Sequence, residues 1–465
     1  MKNYITILGF AVLAAVMLPV CEGPAGPQGI QGEKGEKGEK GVKGETGEKG
    51  ETGEKGEDGP QGPKGETGEK GDSLYMVVFN ANGGIFSDGK EIKKVSAEEN
   101  LPVAVPEEPR WAWGVFLGWY TRPEEGSLFE FTSPITAPIT LYAHWLFDKN
   151  FLADWLVKQS GGDSDDDPLV LTIHINLDSG WQELLEAVEA AQKYVELDLS
   201  RCDMSGTVFN PGGGGKAAKG KIVSITLPDK ATGIETGTSE ATSAFNGFTS
   251  LRNFSAANLV TIGAYAFYNR NTLEITDLPA SVTSIGNYGF YKCTEIALTE
   301  LPAGLTKINS YSFQDCKNLA LIALPPGVTE IGSHAFSGCA NLALTELPST
   351  VKSILTYAFN GCSSLAFTYL PETVTSIGTN TFYGCSGLTE MTLHDKIKSI
   401  GNSAFSGCAN LEFFICLAET PPTLGTSVFS KTHPELKIKV PEASLNAYQA
   451  AANWNNLSGK IIEID

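Results

Sequence analysis

The feature that most restricts the fold of this chain is a repeat with a period of 23 residues. Phenylalanine recurs at positions 245, 267, 290, 313, 336, 359, 382, 405 and 429, and isoleucine recurs in the same register at 285, 308, 331, 354, 377 and 400. A unit this short cannot bury its apolar face alone, so neighbouring units stack and share one continuous core. The period therefore predicts a solenoid of repeats over residues 206–430, in which equivalent residues form ladders.

Each unit carries a common phrase made of Leu-Pro, Val-Thr-X-Ile-Gly, Ala-Phe-X-Gly-Cys and X-X-Leu. The unit that shows it most cleanly contains Gly332, Ala335, Phe336, Ser337, Gly338, Cys339 and Leu342. This phrase resembles the BspA-like leucine-rich repeats of bacterial surface proteins. The resemblance implies a β-rich leucine-rich-repeat solenoid and a role in adhesion. It also implies partners such as the host matrix proteins fibronectin and fibrinogen, or the surface of another cell.

A solenoid with open apolar ends needs a cap at each of them. Residues 169–205 are predicted to form an α/β N-terminal cap, and residues 431–465 a C-terminal cap. The predicted cap elements are a strand at Leu169–Ile175, a helix from Asp178 or Ser179 to about Lys193, a strand at Tyr194–Leu199, a strand at Lys437–Pro441 and a helix at Ala443–Trp454.

A second repeat has a period of three, because glycine occupies every third position from Gly23 to Gly71. Only glycine fits at the axis of three wound chains, so residues 22–73 are predicted to form a collagen-like Gly-X-Y stalk. Proline is sparse, and alternating lysine and glutamate would supply pairing between chains instead. A triple helix would make the protein a homotrimer; the alternative is a solvated, disordered spacer.

The first 21 residues have the charged and then apolar layout of a secretory signal. Leu18, Pro19, Val20 and Cys21 resemble a bacterial lipobox, although Pro19 and Val20 are unusual there. The resemblance implies lipidation at Cys21 and a secreted protein anchored at the bacterial cell surface, as an outer-membrane lipoprotein is. The alternative is an uncleaved anchor helix with an incidental cysteine.

In residues 74–146 apolar and polar residues alternate, and this segment is predicted to form a small β module. A strand at Tyr75–Phe79, a turn at Asn80–Gly84 and a closing strand at Thr140–Trp145 are expected. The phrases Asn-Gly-Gly, Gly-Trp-Tyr and Leu-Tyr-Ala-X-Trp resemble the internalin-type B repeat, which implies a β-grasp fold. Trp111 and Trp113 are interpreted as filling the module's core.

Residues 147–168 are predicted to be an acidic linker. They include Asp163, Asp165, Asp166 and Asp167, but these carboxylates lack the ligand spacing of a calcium loop, so a solvated segment is favoured.

Six cysteines follow the repeat period and form another ladder. They are Cys293, Cys316, Cys339, Cys362, Cys385 and Cys408. Parallel side-chain directions disfavour disulfides between neighbouring rungs, so buried free thiols are predicted. A zinc site is disfavoured because CxxC pairs are missing and no histidine accompanies the ladder. The histidines are scattered, no nucleophile motif is present, and neither enzymatic activity nor a cofactor is predicted.

A row of aromatic residues is the candidate binding stripe. Two residues before successive repeat phenylalanines stand Tyr265, Tyr288, Tyr311, His334 and Tyr357, followed by Asn380 and Ser403. Tyrosine offers a large, stiff and amphipathic contact area, so this row could bind a partner. The alternative is that the rings stack only as a structural ladder.

The net charge of −20 disfavours nucleic acid and anionic lipid surfaces as partners. The resemblance to BspA-like proteins implies a cell-surface binding protein, an adhesin displayed on a collagen-like stalk. The alternative is a structural or self-association protein of the envelope without a host ligand.

Overall fold

The computed structural model describes residues 74–111, 114–123, 126–212 and 216–464. The predictions on the signal segment, on Cys21 and on the stalk lie outside these residues. Of the helices in the described ranges, none has the length and apolar character needed to cross a membrane.

The first described unit is a four-stranded sheet. Its strands are β1 (Leu74–Asn80), β2 (Ile92–Glu98), β3 (Gly114–Tyr120) and β4 (Ile139–Phe147). They lie in the order β2-β1-β4-β3, with a parallel central pair β1 and β4 and antiparallel outer pairs. This is the strand order of a β-grasp sheet, as predicted. Its core contains Phe79, Trp119 and Leu141, which are at most 3 % exposed.

The interpretation of Trp111 as part of the module's core is wrong. Trp111 is half-buried, and it packs against the core of the neighbouring solenoid rather than against that of its own module. Trp113 lies outside the described residues. A short segment between β2 and β3 brings Trp111 to the edge of the sheet, where it covers Gly114 closely enough that a Cβ there would meet its ring at 2.1 Å.

The prediction of a solvated linker at residues 147–168 is also wrong. Helix α1 (Lys149–Lys158) begins after Asp148, whose carboxylate caps the first turn. Leu152 and Leu156 lie one turn apart on one face of α1, and both are fully buried in the solenoid core. The segment is therefore part of the N-terminal cap.

Ion pairs hold the acidic tract after α1 against the cap. Lys193 lies 2.7 Å from Asp163, and Arg252 lies 3.2 Å from Asp165 and 2.9 Å from Asp166. Lys193 is buried, but the side chains of the three aspartates are exposed, so each pair contributes at most about 1 kcal/mol. They nevertheless give the aspartates a fixed place, which a solvated linker would not have.

The rest of the N-terminal cap follows the predicted strand, helix, strand order. It consists of β5 (Leu169–Thr172), α2 (Leu177–Ala191) and β6 (Val195–Asp198). Helix α2 begins slightly earlier than expected, because the Asn176 side chain rather than that of Asp178 or Ser179 accepts from the second backbone N–H of the helix, at 2.9 Å.

The remaining elements are short. In chain order they are β7 (Val208–Phe209), α3 (Lys216–Lys219), β8 (Ile222–Thr226), β9 (Gly233–Ile234), β10 (Asn253–Ser255), β11 (Thr261–Ile262), β12 (Ser284–Ile285), β13 (Lys307–Ile308), β14 (Glu330–Ile331), β15 (Ser353–Ile354), β16 (Ser376–Ile377), β17 (Glu390–Leu393), β18 (Ser399–Ile400), β19 (Phe413–Cys416), β20 (Thr423–Leu424), β21 (Lys437–Val440), α4 (Leu445–Ala450) and β22 (Ile461–Glu463).

Each of these strands pairs in parallel with the equivalent strand of a neighbouring unit. This pairing gives the predicted solenoid. One side carries the two-residue strands in the orders β7-β9-β11-β12, β13-β14-β15 and β16-β18-β20. The other side carries β5-β6-β8-β10 at the N-terminal end and β17-β19-β21-β22 at the C-terminal end.

The repeat phenylalanines form the centre of the solenoid. From Phe245 to Phe429 successive rings stack with centroids 4.5 to 6.0 Å apart and planes within 22° of each other. Each ring is at most 9 % exposed. Because the stacked rings are all of one size, neighbouring units keep the same register. The turns next to each phenylalanine therefore repeat along the axis with nearly the same geometry.

The C-terminal cap differs from its prediction in one element. A helix was expected from Ala443 to Trp454, but α4 ends at Ala450, and 3₁₀ turns lie on both sides of it at Glu442–Ser444 and Asn455–Lys460. The reason is the placement of Trp454, which is fully buried and donates its indole N–H to the carbonyl of Pro422 at 2.8 Å. A continuous helix would not deliver the ring to that position.

Candidate ligand-binding face of the solenoid

The predicted stripe occupies an unusual backbone position. From Phe267 onward, the residue two before each repeat phenylalanine has a positive φ: it is +58° at Tyr265, +58° at Tyr288, +61° at Tyr311, +55° at His334, +60° at Tyr357, +52° at Asn380, +53° at Ser403 and +55° at Ser427. This left-handed conformation disfavours residues with a Cβ by roughly 1–2 kcal/mol, and glycine or asparagine is its usual occupant. Large aromatic residues nevertheless occupy five consecutive rungs.

The turn is fixed by hydrogen bonds between units. The backbone N–H of Tyr265 donates to the carbonyl of Asn287 at 2.9 Å, and that of Tyr311 donates to Ser333 at 2.9 Å. Because the same bond recurs in each unit, the side chains at this position all leave the backbone in one direction. The sequence period thus places them in one row.

The structure brings all five predicted residues together. Ring centroids are 4.6 Å apart for Tyr265 and Tyr288, 4.4 Å for Tyr288 and Tyr311, 4.6 Å for Tyr311 and His334, and 4.5 Å for His334 and Tyr357. The planes of these pairs lie within 19° of each other. Every ring is half-buried, so the stack has a packed side and an accessible edge.

A second row lies beside the first, and the sequence reasoning missed it. Tyr268 and Tyr291 each follow a repeat phenylalanine directly, and their rings stack at 4.6 Å. Tyr268 also lies 5.4 Å from Tyr265, and Tyr291 lies 5.6 Å from Tyr288. The 23-residue spacing of this pair was the available signal, but a ladder of only two rungs does not stand out from the sequence.

We call the combined surface the aromatic face. It consists of Tyr265, Tyr268, Tyr288, Tyr291, Tyr311, His334 and Tyr357. The row ends after Tyr357, because Asn380 and Ser403 continue the backbone turn without a ring.

Burial controls the ionisation of the aromatic face. It raises the pKa of Tyr288 to about 12, with a smaller contribution from Tyr311 beside it. Burial also lowers the pKa of His334. Within the described residues the buried Nδ1 atom of His334 has no hydrogen-bond partner. At neutral pH the face therefore presents neutral rings, hydroxyl groups and one imidazole, which suits stacking and hydrogen bonding with a partner rather than attraction of a charged group.

The cysteine ladder lies inside the solenoid and offers no reactive site. All eight cysteines of the described residues are free and buried, which confirms the prediction of free thiols in the ladder. Each ladder thiol donates to the carbonyl of the phenylalanine 26 residues earlier, at 3.0 to 3.1 Å. Burial raises the pKa of Cys339 well above its usual value, so it stays protonated.

With its stacked units and repeated turns, the chain belongs to the BspA-type leucine-rich repeat region family, whose model matches residues 217–343 and 329–458. The two matches together cover more than half of the 465 residues. The collagen triple helix repeat model matches residues 21–74, and the Listeria-Bacteroides repeat domain model matches residues 75–144. The protein is therefore modular, with a collagen-like region, a β-grasp unit and a leucine-rich-repeat solenoid.

Several solved structures are similar to parts of the chain. A leucine-rich repeat protein from Bacteroides ovatus is 18 % identical, with 53 % of this chain and 85 % of that chain covered and a TM-score of 0.26. A leucine-rich cell surface protein from Faecalibacterium prausnitzii is 22 % identical over 47 % of this chain and 60 % of that chain, with a TM-score of 0.30. A T. pallidum leucine-rich repeat protein is 29 % identical over 35 % and 76 %, with a TM-score of 0.28. The comparison with curated proteins found no match.

Proposed function

We propose that this chain is a bacterial cell-surface adhesin whose aromatic face binds a protein partner. The partner is a host matrix protein, of the kind that fibronectin and fibrinogen represent, or a protein on another cell. The observation that carries the proposal is the unbroken stack of half-buried rings at left-handed backbone positions.

The backbone conformation argues for a role beyond folding. The rungs at Asn380 and Ser403 adopt the same positive φ without a ring, so the solenoid forms the turn without aromatic stacking. A tyrosine there is less favourable than glycine by roughly 1 kcal/mol or more. Backbone strain of this kind clusters at functional sites.

The chemistry of the face suits a protein partner. Tyrosine is enriched among the residues that dominate binding energy at interfaces, because it is stiff and carries one polar atom. Five successive rungs form an extended surface of the kind that solenoids use for recognition. The acidic composition disfavours nucleic acid and anionic lipid as competing partners.

In this proposal, the N-terminal segments hold the folded part of the chain at the cell surface. Lipidation at Cys21 would hold the protein in the membrane, and the collagen-like residues 22–73 would carry the folded part away from it. If three chains wind together, three aromatic faces act on one target surface. Binding would then be strengthened by effective concentration rather than by new contacts.

The test is binding of the full-length chain to immobilised fibronectin, fibrinogen, laminin and collagen at physiological salt. The double variant Tyr288→Asn/Tyr311→Asn removes two central rings and leaves asparagine, which this turn already accepts at Asn380. We expect saturable binding to one matrix protein and a loss of about tenfold or more in the variant, the magnitude typical of interfacial aromatic anchors.

The matched control is Tyr369→Asn. Tyr369 is 47 % exposed and forms a bridge to Thr392 of strand β17, away from the aromatic face, so its loss should leave the affinity unchanged. An equal loss in both variants would refute the aromatic face as the site. Binding of the chain only to further copies of itself would instead support a structural or self-association role in the envelope.

A further inference from the structure

A cavity of about 400 Å³ lies where the β-grasp module meets the N-terminal cap. This volume is within the range of small-molecule sites, which occur preferentially between domains. The walls include Trp111, Trp145, Leu146, Phe147, Glu183 and Asp203. None of these residues belongs to the aromatic face.

The contact between the two units gives the cavity a defined shape. Gly83, in the turn after β1, has a φ of +92°, and a Cβ there would lie 2.7 Å from Nδ1 of His174 in the cap. Glu91 of the module also pairs with Arg201 of the cap at 3.5 Å. Trp111 packs against the solenoid core. The cavity is thus built by close packing of the module on the cap.

Two carboxylates, Glu183 and Asp203, and two imidazoles, His144 and His174, line the cavity. Glu183 and Asp203 are both half-buried, and the described residues that line the cavity include no lysine or arginine. The ion pairs of the described region commit Lys149 to Glu186 and Arg201 to Glu91, and they include neither cavity carboxylate. Carboxylates that no ion pair of the described residues engages favour a cation in the cavity and disfavour anions.

Besides the carboxylates, aromatic rings in the cavity wall are available to contact a ligand. The ring of Trp111 lies 5.9 Å from that of Trp145 and 6.3 Å from that of Phe147. The indole N–H of Trp145 already donates to the carbonyl of Ala81 at 2.9 Å, which leaves its ring for apolar contact. Aromatic faces attract ammonium and guanidinium groups, most strongly where water is partly excluded.

We propose that this cavity binds an organic cation. The carboxylates would neutralise its charge, and the rings and Leu146 would contact its alkyl groups. The same chemistry is present in a free quaternary amine and in a lysine or arginine side chain of a protein partner. This inference goes beyond the adhesin function, because it concerns a different surface and a different ligand.

The experiment is calorimetric titration of the full-length chain with tetramethylammonium, Nα-acetyl-lysine amide and Nα-acetyl-arginine amide, with glucose and acetate as neutral and anionic controls. Tryptophan fluorescence at the cavity provides a second readout. We expect saturable binding of at least one cation and of neither control. Tetramethylammonium as the tightest ligand would identify a free amine as the source, and the amino-acid amides would identify a basic side chain.

Two variants test the assignment of the residues. Glu183→Gln/Asp203→Asn keeps the shape and removes the charge, and should weaken binding at least about tenfold. Ser179→Trp fills the cavity without changing its charge, and should abolish binding. Asp395→Asn/Glu419→Gln, at a separate surface depression, should have no effect. Absence of saturable cation binding, or binding that survives both cavity variants, would overturn the proposal. The Tyr288→Asn/Tyr311→Asn variant should bind the cation normally, so the two proposals can fail separately.

Discussion

Some positions of the repeat are required for folding, and others can vary. Individual residues show which positions belong to each group. The phenylalanine ladder and the thiol ladder are buried throughout, and their side chains pack or donate within the solenoid. The position with positive φ is different, because it holds tyrosine, histidine, asparagine and serine in one chain. Its backbone is constant and its side chain varies, which is how a repeat protein changes a surface without changing its fold.

His334 makes this row sensitive to pH. Burial lowers its pKa from an ordinary value of about 6.5, so the folded chain binds the proton less readily than the unfolded chain does. The stability that the neutral ring provides is present above about pH 6.5 and is lost as the pH falls through the lower, folded pKa. We expect the melting temperature to fall between pH 7 and pH 5.

The matched variant for this prediction is His334→Tyr, which gives the row the residue found on either side, at Tyr311 and Tyr357. Its melting temperature should depend less on pH over that interval, as followed by circular dichroism. An identical pH dependence in the two proteins would assign the titration to other groups.

Elements differ in how far the sequence determines them. The solenoid strands and the buried positions were predictable, because one signal is repeated in each unit. Helix α1 was not, since two buried leucines at one-turn spacing are a weak pattern beside a run of aspartates. Trp111 and the cavity between the β-grasp module and the cap could not be placed either, because they depend on how the two units pack, and no local pattern encodes that contact.

Disruption of the C-terminal cap should be the easiest to detect as a loss of stability. Trp454 is fully buried, lies 5.0 Å from the ring of Tyr448 and donates to Pro422. Trp454→Ala removes this packing and leaves a buried carbonyl without its donor. We expect a loss of about 3–5 kcal/mol in the free energy of unfolding, measured by denaturant titration.

Two comparisons make that result specific. Trp454→Phe should lose less, because it retains most of the buried area. Leu417→Ala, at a side chain that is 41 % exposed, should stay within about 0.5 kcal/mol of the parent chain. Similar losses in all three variants would mean that Trp454 does not hold the cap.

At the scale of the whole molecule, a triple helix in the collagen-like region would set the number of folded units that act together. Strict glycine at every third position predicts a triple helix for residues 22–73. Sedimentation equilibrium of the full chain should therefore give a mass three times that of the 49.5 kDa monomer. Replacing Gly47 and Gly50 by Ala should lower the temperature at which the trimer dissociates. A parent chain that sediments as a monomer would show that this region is only a spacer.

The absence of disulfides among the described cysteines has a mechanical consequence. Within the described residues, stacked rings, short parallel strands, hydrogen bonds and the single chain that runs through them hold neighbouring units together, without a covalent cross-link. If the proposed adhesin were pulled between a bound target and the membrane, units could detach from one end in succession, and each would release 23 residues, or about 75 Å of extended chain. The solenoid would then lengthen under load and shorten again on release, so under the proposed function a bound cell would be held by an extensible tether rather than by a rigid bar.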